Sequence, residues 1–238
     1  MRYNTFNQPI GDEVESFKEP NMPSVDMLEG KYSKLEHLNE SHIDQLFPLL
    51  CSSENDANWT YLPHEPIHDK ASFTQLIEER IISKDPYFFA IVDKKTHQAL
   101  GIMSLLRINP KASTIEVGHI HYSTLLKRTR IATEVQYLLA RYVFETLKYR
   151  RYEWKCDSLN APSKHAAERL GFKYEGTFRQ ALVYKGRSRD TDWFSIIDKE
   201  WPSIKKHYEE WLDESNFNHD GTQINKLNVY IYNDGYNK

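Results

Sequence analysis

The sequence predicts an α/β protein built around a mixed β-sheet, and three observations support this class. Segments with the strand period of two alternate with segments whose apolar residues recur at helical spacing, in the order strand, two helices, three strands, helix, strand, helix, two strands. The chain has 238 residues, enough for one well-buried domain with extensions. Hydrophobic residues make up 39% and charged residues 27%, which is ordinary for a folded protein.

The first half of the predicted domain holds two helices and four strands. Residues 31–38 are a short extended segment. Ser41 is a candidate N-cap for a helix that carries Ile43, Leu46, Phe47 and Leu50. Asp69 is a candidate cap for a second helix, with Phe73, Leu76, Ile77 and Ile81 on its apolar face. Three strands are then predicted over 87–92, 99–108 and 114–122.

The second half begins with a long helix, predicted over 131–148 from its apolar stripe. A short helix over 162–170 has Pro162 in its first turn and Gly171 as its C-terminal stop. The remaining predicted elements are a strand over 152–157, a hairpin of strands over 172–184 and 189–198 that turns at Lys185-Gly186, and a final helix over 200–211.

The two ends of the chain differ from the middle. Residues 1–29 are rich in Pro, Asn, Asp and Glu without a period, which predicts an extended arm before a domain over 30–201. Residues 202–238 are predicted to be a helix and a polar tail. The alternating residues 227–232 in that tail are either a strand or a segment that orders only against something else.

Charge and cysteine content exclude several classes of protein. The net charge of −3 argues against a nucleic-acid partner, since such proteins usually carry a basic excess. The two cysteines, Cys51 and Cys156, have neither metal-site nor disulfide spacing, which fits a reducing compartment. The sequence shows no signal peptide and no apolar run of the ~20 residues that span a membrane. We therefore expect a cytoplasmic location, with the nucleus as the alternative.

A candidate phosphate site lies where the third predicted strand of this series leads into the long helix. A helix start presents unpaired backbone N–H groups and the positive end of the helix dipole, and it binds diphosphates readily. Lys127, Arg128 and Arg130 would add charge-assisted hydrogen bonds there. The alternative is a basic helix start that is merely solvated.

A second motif runs from Asn160 to Phe172. Singly, Asn160 is a candidate helix cap and Gly171 a helix stop. In this order and spacing, Asn160, Ser163 and the run Glu-Arg-Leu-Gly-Phe over 168–172 resemble the Asn-x-x-Ser/Ala … Glu-Lys-x-Gly-Phe signature of the GNAT acetyltransferases. Glu-Val-Gly-His over 116–119 resembles the family's Glu-Ile-Gly-Tyr strand, and Ile-Ala-Thr-Glu over 131–134 the end of its pyrophosphate loop.

The resemblance covers about residues 30–201 and is closest to the RimJ/RimL-like branch, within an uncharacterised fungal and bacterial subfamily. It implies a GNAT fold, an α+β arrangement whose mostly antiparallel sheet splays between its fourth and fifth strands. It also implies an N-acetyltransferase that carries an acetyl group from acetyl-CoA to a primary amine in a ternary complex. The amine would belong to a protein N-terminus, a polyamine or a small metabolite; no metal is implied, and a homodimer through an edge strand is one option.

The same resemblance assigns residues to acetyl-CoA. Arg130 stands where the family loop normally has Gly, so we expect its guanidinium to compensate as a phosphate partner. Asn160 matches the residue that holds the pantetheine arm, and Ser163 matches a position near the thioester sulfur. The implied cofactor-binding set is Lys127, Arg128, Thr129, Arg130, Ile131, Ala132, Thr133, Asn160 and Ser163.

Catalytic roles are implied for two residues. Glu116 matches the position of a carboxylate that removes the amine proton through water, and its alternative is a solvent-facing strand residue. Ser163 would act as a hydrogen-bond donor to the sulfur, because Ala167 stands where many members carry an acidic Tyr. The acceptor pocket would include Trp59, Tyr61, Glu65 and His119.

Alternatives to these roles stay open on the sequence alone. The aromatic residues Trp59 and Tyr61 are otherwise packing, whereas Glu65 would supply a negative end to the pocket. His119 and His121 share a strand face and are candidate bases, but no third metal ligand accompanies them. Ala167 and Arg130 also favour a protein that binds acyl-CoA without turnover, and the polar tail favours a protein-interaction module as a third reading.

Overall fold

A computed structural model describes residues 2–227 and residue 229 of the chain. It contains an eight-stranded sheet in the order β3-β4-β5-β6-β7-β8-β10-β9, in which only β7 and β8 run parallel. The strands are β1 Arg2–Tyr3, β2 Pro9–Ile10, β3 Met27–Glu29, β4 Ser33–His37, β5 Tyr87–Asp93, β6 Ala99–Asn109, β7 Thr114–Tyr122, β8 Arg151–Asp157, β9 Lys173–Tyr184 and β10 Arg187–Ile197. The helices are α1 Ile43–Leu50, α2 Lys70–Ile82, α3 Arg130–Arg141, α4 Ala161–Arg169 and α5 Trp201–Trp211. The predicted mixed and mostly antiparallel sheet is therefore confirmed.

Apolar residues cover both faces of the sheet. On one face, the larger cluster joins the strands to α3, α4 and α5, with Tyr152, Phe194 and Tyr208 among its most buried side chains. On the other face, a smaller cluster packs α1 and α2 against β5 and β6, and Trp59 belongs to it. Within the described part of the chain, no helix is both long and apolar enough to cross a bilayer.

Two helix boundaries differ from the sequence prediction. Ser41 does not cap α1; Asn39 caps a 3₁₀ turn over Glu40–His42 by accepting a hydrogen bond from the Ser41 N–H (3.0 Å), and α1 begins only at Ile43. The long helix predicted over 131–148 ends as an α-helix at Arg141 and continues as a π-helical turn over Tyr142–Leu147. The wider turn buries four apolar side chains that an α-helix would spread around its axis: Tyr142, Val143, Phe144 and Leu147.

The N-terminal segment is more regular than the extended arm predicted for it. The strands β1 and β2 form a small hairpin, and β3 adds to the edge of the main sheet beside β4. The sheet therefore begins before residue 30. At the other end, Leu227 is buried against the larger cluster, whereas most of the strand that was considered over 227–232 lies outside the described residues.

A buried carboxylate joins β4 to the first turns of α3. Glu134 accepts hydrogen bonds from the backbone N–H groups of Lys31 (2.7 Å) and Tyr32 (2.9 Å) and from the hydroxyl of Ser33 (2.6 Å). Gly30 makes this approach possible, because a Cβ there would lie 2.5 Å from the Glu134 carboxyl carbon. Three donor groups are thus fixed by one side chain at the start of the sheet.

We expect Gly30→Ala to lower the free energy of unfolding by about 2 kcal/mol or more, because the added methyl displaces a buried carboxylate from its donors. Urea unfolding of the purified variant measures this loss. Gly11→Ala is the matched control, since nothing lies within 4 Å of a Cβ at Gly11. Equal stability of the two variants would show that Glu134 has another way to satisfy its donors.

Candidate active site

The sheet opens between its two parallel strands. Pairing of β7 with β8 runs only from Thr114 opposite Arg151 to Val117 opposite Trp154. Beyond these pairs, β7 continues to Tyr122 and β8 continues to Asp157, but the two strands no longer pair with each other. On its other side, β8 pairs with β10 along its whole length. A gap therefore opens at the carboxyl ends of both strands, where α3 and α4 begin.

His119 lies at the edge of this gap, on a β-bulge. The pairing of β6 with β7 shifts between Ile102–His121 and Ser104–Gly118, and His119 has a positive φ of 48°. Positive φ is uncommon outside glycine, and bulges redirect side chains near functional sites. The His119 Nδ1 lies 2.9 Å from the Ser104 Oγ, and its ring packs on Phe88 with the centroids 5.2 Å apart.

Glu116 precedes the gap on β7 and is buried, with only 5% of its surface exposed. The alternative of a solvent-facing strand residue is therefore wrong. Its Oε2 lies 2.9 Å from the Lys155 Nζ and 3.4 Å from the Arg107 Nε. Lys155 also pairs with Glu153 (2.7 Å) and lies over the Trp193 ring (3.6 Å to the centroid). One buried cation thus bridges two carboxylates on neighbouring strands.

Burial raises the pKa of Glu116 above the usual glutamate value, and the charges of Lys155 and Arg107 oppose that shift only in part. A carboxylate with a raised pKa is a stronger base than an exposed one. The Lys155 pair favours its charged form. Glu116 is therefore a candidate for proton removal from an amine.

On the face of the sheet that the larger apolar cluster covers, α4 begins beside the gap. Asn160 caps the helix, and its Oδ1 accepts a hydrogen bond from the Ser163 N–H (3.2 Å). The Ser163 Oγ accepts a hydrogen bond from the Trp154 indole N–H (3.0 Å), and the Ser163 side chain also hydrogen-bonds the Cys156 thiol. Ala167 is fully buried two turns from the cap, in the larger apolar cluster.

The start of α3 supplies a third side of the gap. Thr129 caps the helix by accepting from the Ala132 N–H (3.2 Å), and Arg128 before it has a positive φ of 63°. Lys127 and Arg128 are exposed, and within residues 2–227 neither pairs with a carboxylate, although Lys127 donates to the side chain of Asn58. The predicted phosphate loop therefore presents two cations that have no carboxylate partner among residues 2–227, whereas the N–H groups of Lys127, Thr129 and Ala132 already have acceptors. Its remaining members are Arg130, Ile131 and Thr133.

Arg130 has a more constrained position than the sequence indicated. Its guanidinium lies over the Tyr32 ring (3.9 Å to the centroid) and near the Phe217 ring (5.6 Å). Aromatic stacking leaves the edge of a guanidinium open for hydrogen bonds. Compensation for the missing glycine by an Arg130–phosphate contact stays a prediction.

The residues predicted for the acceptor pocket have structural contacts. Trp59 is buried, donates its indole N–H to the Leu50 carbonyl (3.0 Å) and meets the His121 ring edge-on at 4.6 Å. The Tyr61 hydroxyl donates to the Leu159 carbonyl (3.1 Å), and the Glu65 carboxylate pairs with the Lys185 Nζ (3.1 Å). Trp59 thus lies in the core rather than along an open slot, and the negative charge of Glu65 is neutralised from within the chain.

Lys185, at the turn of the β9–β10 hairpin, fixes this loop in place. Its Nζ donates to the carbonyls of Trp59 (3.0 Å) and His64 (3.2 Å), and Arg187 donates to the Thr60 carbonyl (2.7 Å). The hairpin tip is therefore held against the loop that contains Trp59, Thr60 and His64. The sequence predicted the turn at this position but contained no signal for these contacts.

Sequence reasoning missed Arg80. The residue lies on α2 together with Phe73, Leu76 and Ile77, all of which face the sheet, and its guanidinium stands over the Phe88 ring (5.1 Å to the centroid). The spacing 73, 76, 77, 80 places an arginine on the buried stripe of an amphipathic helix. This spacing is the sequence signal for a buried Arg80, whereas the predicted apolar face continues from Ile77 to Ile81.

Comparisons with known proteins give a consistent result. Residues 34–173 match the family model described as an acetyltransferase (GNAT) domain. The crystal structure of a GCN5-related N-acetyltransferase from Brucella melitensis is similar, with a TM-score of 0.88 and 41% identity over 90% of this chain and 97% of that one. A ribosomal-protein-serine acetyltransferase of Escherichia coli K12 is 25% identical over 70% of this chain and 94% of its own length. The structure of the microcin C7 self-immunity acetyltransferase MccE with acetyl-CoA and AMP shares the fold, with a TM-score of 0.62 and 20% identity over 71% of this chain and 93% of that one.

Proposed function

This chain belongs to the GNAT acetyltransferase family, and from that premise we propose that it transfers an acetyl group from acetyl-CoA to a primary amine at the gap between β7 and β8. The observation that carries the proposal is the gap itself, which is flanked by two helix starts on one face and by Glu116 and His119 along β7. The E. coli relative is named for acetylation of a ribosomal-protein serine, so a protein amine is one candidate acceptor.

The residues beside the gap fit acetyl-CoA. A diphosphate matches the start of α3 and the cations Lys127 and Arg128, neither of which pairs with a carboxylate among residues 2–227. Asn160 keeps its amide NH₂ free for the pantetheine arm, because its Oδ1 serves the helix cap. The MccE structure, which contains acetyl-CoA, supports the same cosubstrate for this fold.

When bound, acetyl-CoA supplies an acetyl thioester. Glu116 takes the proton from the incoming ammonium through a water molecule, because its raised pKa suits that transfer. His119 is uncharged at neutral pH, since burial lowers its pKa to about 4, and it offers a ring nitrogen to the amine. Ser163 donates its hydroxyl proton to the sulfur from the opposite face of the sheet, in exchange for its hydrogen bond to the Cys156 thiol.

Calorimetry with acetyl-CoA tests this assignment. Asn160→Asp keeps the cap oxygen but replaces the NH₂ donor with a second oxygen, and we expect it to raise the Kd for acetyl-CoA about tenfold, as loss of one hydrogen bond of about 1–1.5 kcal/mol requires. Its unfolding midpoint should stay near that of the wild type, because aspartate is also a good cap.

Asn160→Ala is the companion variant, because it removes both the cap and the donor. It should weaken acetyl-CoA binding and also lower the free energy of unfolding by about 1 kcal/mol. If Asn160→Asp binds acetyl-CoA as tightly as the wild type, the amide does not contact the cosubstrate. Tight binding without release of CoA for any amine would favour an acyl-CoA-binding protein without turnover.

A further inference from the structure

Arg80 carries a buried positive charge that has no ion-pair partner in the part of the chain that the structure describes. Only 7% of its surface is exposed. Among residues 2–227 and 229, no carboxylate lies within ion-pairing distance of its guanidinium and no oxygen accepts a hydrogen bond from it; the neighbouring Glu79 is exposed and forms no pair with it. A buried and unpaired charge carries a large desolvation penalty, so proteins rarely keep one without a ligand for it.

Apart from the exposed Glu79 carboxylate, the described groups whose charges or burial bear on Arg80 are neutral or positive. Its charge acts on His64, His119 and His121 and, after burial, helps to keep the pKa of each low. Burial raises the pKa of the nearby Cys51 thiol to about 12, so that thiol is also uncharged at neutral pH. The surroundings of Arg80 therefore have a positive potential, and within residues 2–227 and 229 the carboxylate whose charge acts on Arg80 is that of the exposed Glu79.

Arg80 also lies on the acceptor side of the gap. Its guanidinium and the His119 ring pack against the same Phe88 ring, at 5.1 Å and 5.2 Å from the centroid. His119 is the bulge residue at which β7 and β8 have separated. A ligand that reaches His119 with its amine can therefore place a second group near Arg80.

We propose that Arg80 determines acceptor specificity and that the acceptor is a primary amine that also carries an acidic group, either a carboxylate or a phosphate. That the acceptor is an amine rests on the proposed acetyltransferase function. A guanidinium presents parallel N–H donors that match both kinds of anion. Glu65 does not provide a competing negative end, because Lys185 pairs with it.

Matched pairs of amines test the proposal and separate the two sources of the acid. Each pair contains an acidic amine and a neutral analogue: Ser-Asp-amide with Ser-Asn-amide, L-serine with L-serinamide, and phosphoethanolamine with ethanolamine. Binding is measured by calorimetry in the presence of CoA, and turnover is measured as CoA release from acetyl-CoA. For the wild type, we expect at least one acidic member to bind about tenfold more tightly than its neutral partner, which corresponds to about 1.4 kcal/mol.

Arg80→Met is the decisive variant, because methionine fills a similar volume over Phe88 without a charge. It should abolish the preference for the acidic member while its Tm equals or exceeds that of the wild type, since an unpaired buried charge is removed. Arg179→Met, at an exposed position on β9, removes the same charge and should leave the preference intact.

Equal binding of every pair by the wild type, or a preference that survives in Arg80→Met, would overturn the proposal. A lower Tm together with an unchanged preference would instead assign Arg80 a structural role over Phe88. If binding shows the acid preference but no amine releases CoA, the acetyltransferase proposal fails while the anion site stands.

Discussion

Replacing Glu116 with glutamine should lower kcat/KM for the best amine at least 100-fold, because a positioned general base contributes about 10²–10⁴ in rate. Glutamine keeps the size of the side chain but cannot accept the amine proton. Lys155 would retain Glu153 as its partner at 2.7 Å, so the fold should persist. The measurement is CoA release at saturating acetyl-CoA, with the Kd for acetyl-CoA expected to stay within a factor of two.

The pH dependence gives this prediction a second readout. The base must be ionised, so kcat/KM of the wild type should rise with pH through the pKa of Glu116. Burial raises that pKa, and the rise should therefore occur at higher pH than the ordinary glutamate value of about 4.3 would give. In Glu116→Gln this limb should disappear.

Glu153→Gln is the matched control for Glu116→Gln. It makes the same change at the residue directly opposite on β8 and removes the other carboxylate partner of Lys155. We expect its activity to fall less than about tenfold, since it supplies no base for the amine. Equal losses in the two variants would mean that the ion-pair network, and not Glu116 as a base, supports activity.

Much of the fold could be predicted from the sequence because local patterns and the final structure agree. The strand over Thr114–Tyr122 has the predicted bounds, Asp69 caps α2 through the Ser72 N–H (2.8 Å), and the hairpin turns at Lys185-Gly186 as predicted. Each of these features depends on residues adjacent in the chain: a period of two, a cap, a glycine in a tight turn.

The less predictable features depend on residues far apart in the chain. The edge strand β3 forms because Glu134, over a hundred residues later, fixes the backbone after it. The burial of Glu116 depends on Lys155, and the closure of the acceptor side depends on contacts from Lys185 to the loop near Trp59. Sequence patterns identify such residues as charged or polar, and only the tertiary contacts determine which of them are buried and what they neutralise.

Lys155→Met should be among the most destabilising single changes in this protein. The Lys155 side chain is 5% exposed, and its loss would leave Glu116 and Glu153 buried without their shared cation. Breaking a buried ion pair on one side typically costs about 3–5 kcal/mol, and the lower end applies because Arg107 and Arg151 still contact the two carboxylates. Urea unfolding at neutral pH measures the loss.

The pH dependence of the stability loss in Lys155→Met distinguishes an unpaired charge from lost packing. Without Lys155, the folded-state pKa of Glu116, which burial already raises, should lie still further above its unfolded value. A raised pKa in the folded state favours folding below the unfolded pKa, and this contribution disappears as the pH rises through the folded pKa. The deficit of Lys155→Met relative to the wild type should therefore be small in acid and grow towards neutral pH.

A matched lysine on the surface supplies the control. Lys206 is exposed, and among the described residues its one ion pair is with Glu210, one helical turn away, so Lys206→Met should change the free energy of unfolding by no more than about 0.5 kcal/mol at any pH. A deficit of Lys155→Met that is independent of pH would show that the Lys155 stem stabilises the fold by packing on Trp193. A deficit that grows with pH would show that Lys155 stabilises the charged form of the buried Glu116 carboxylate. Glu116 would then be available as a base at neutral pH because Lys155 holds it charged inside the protein.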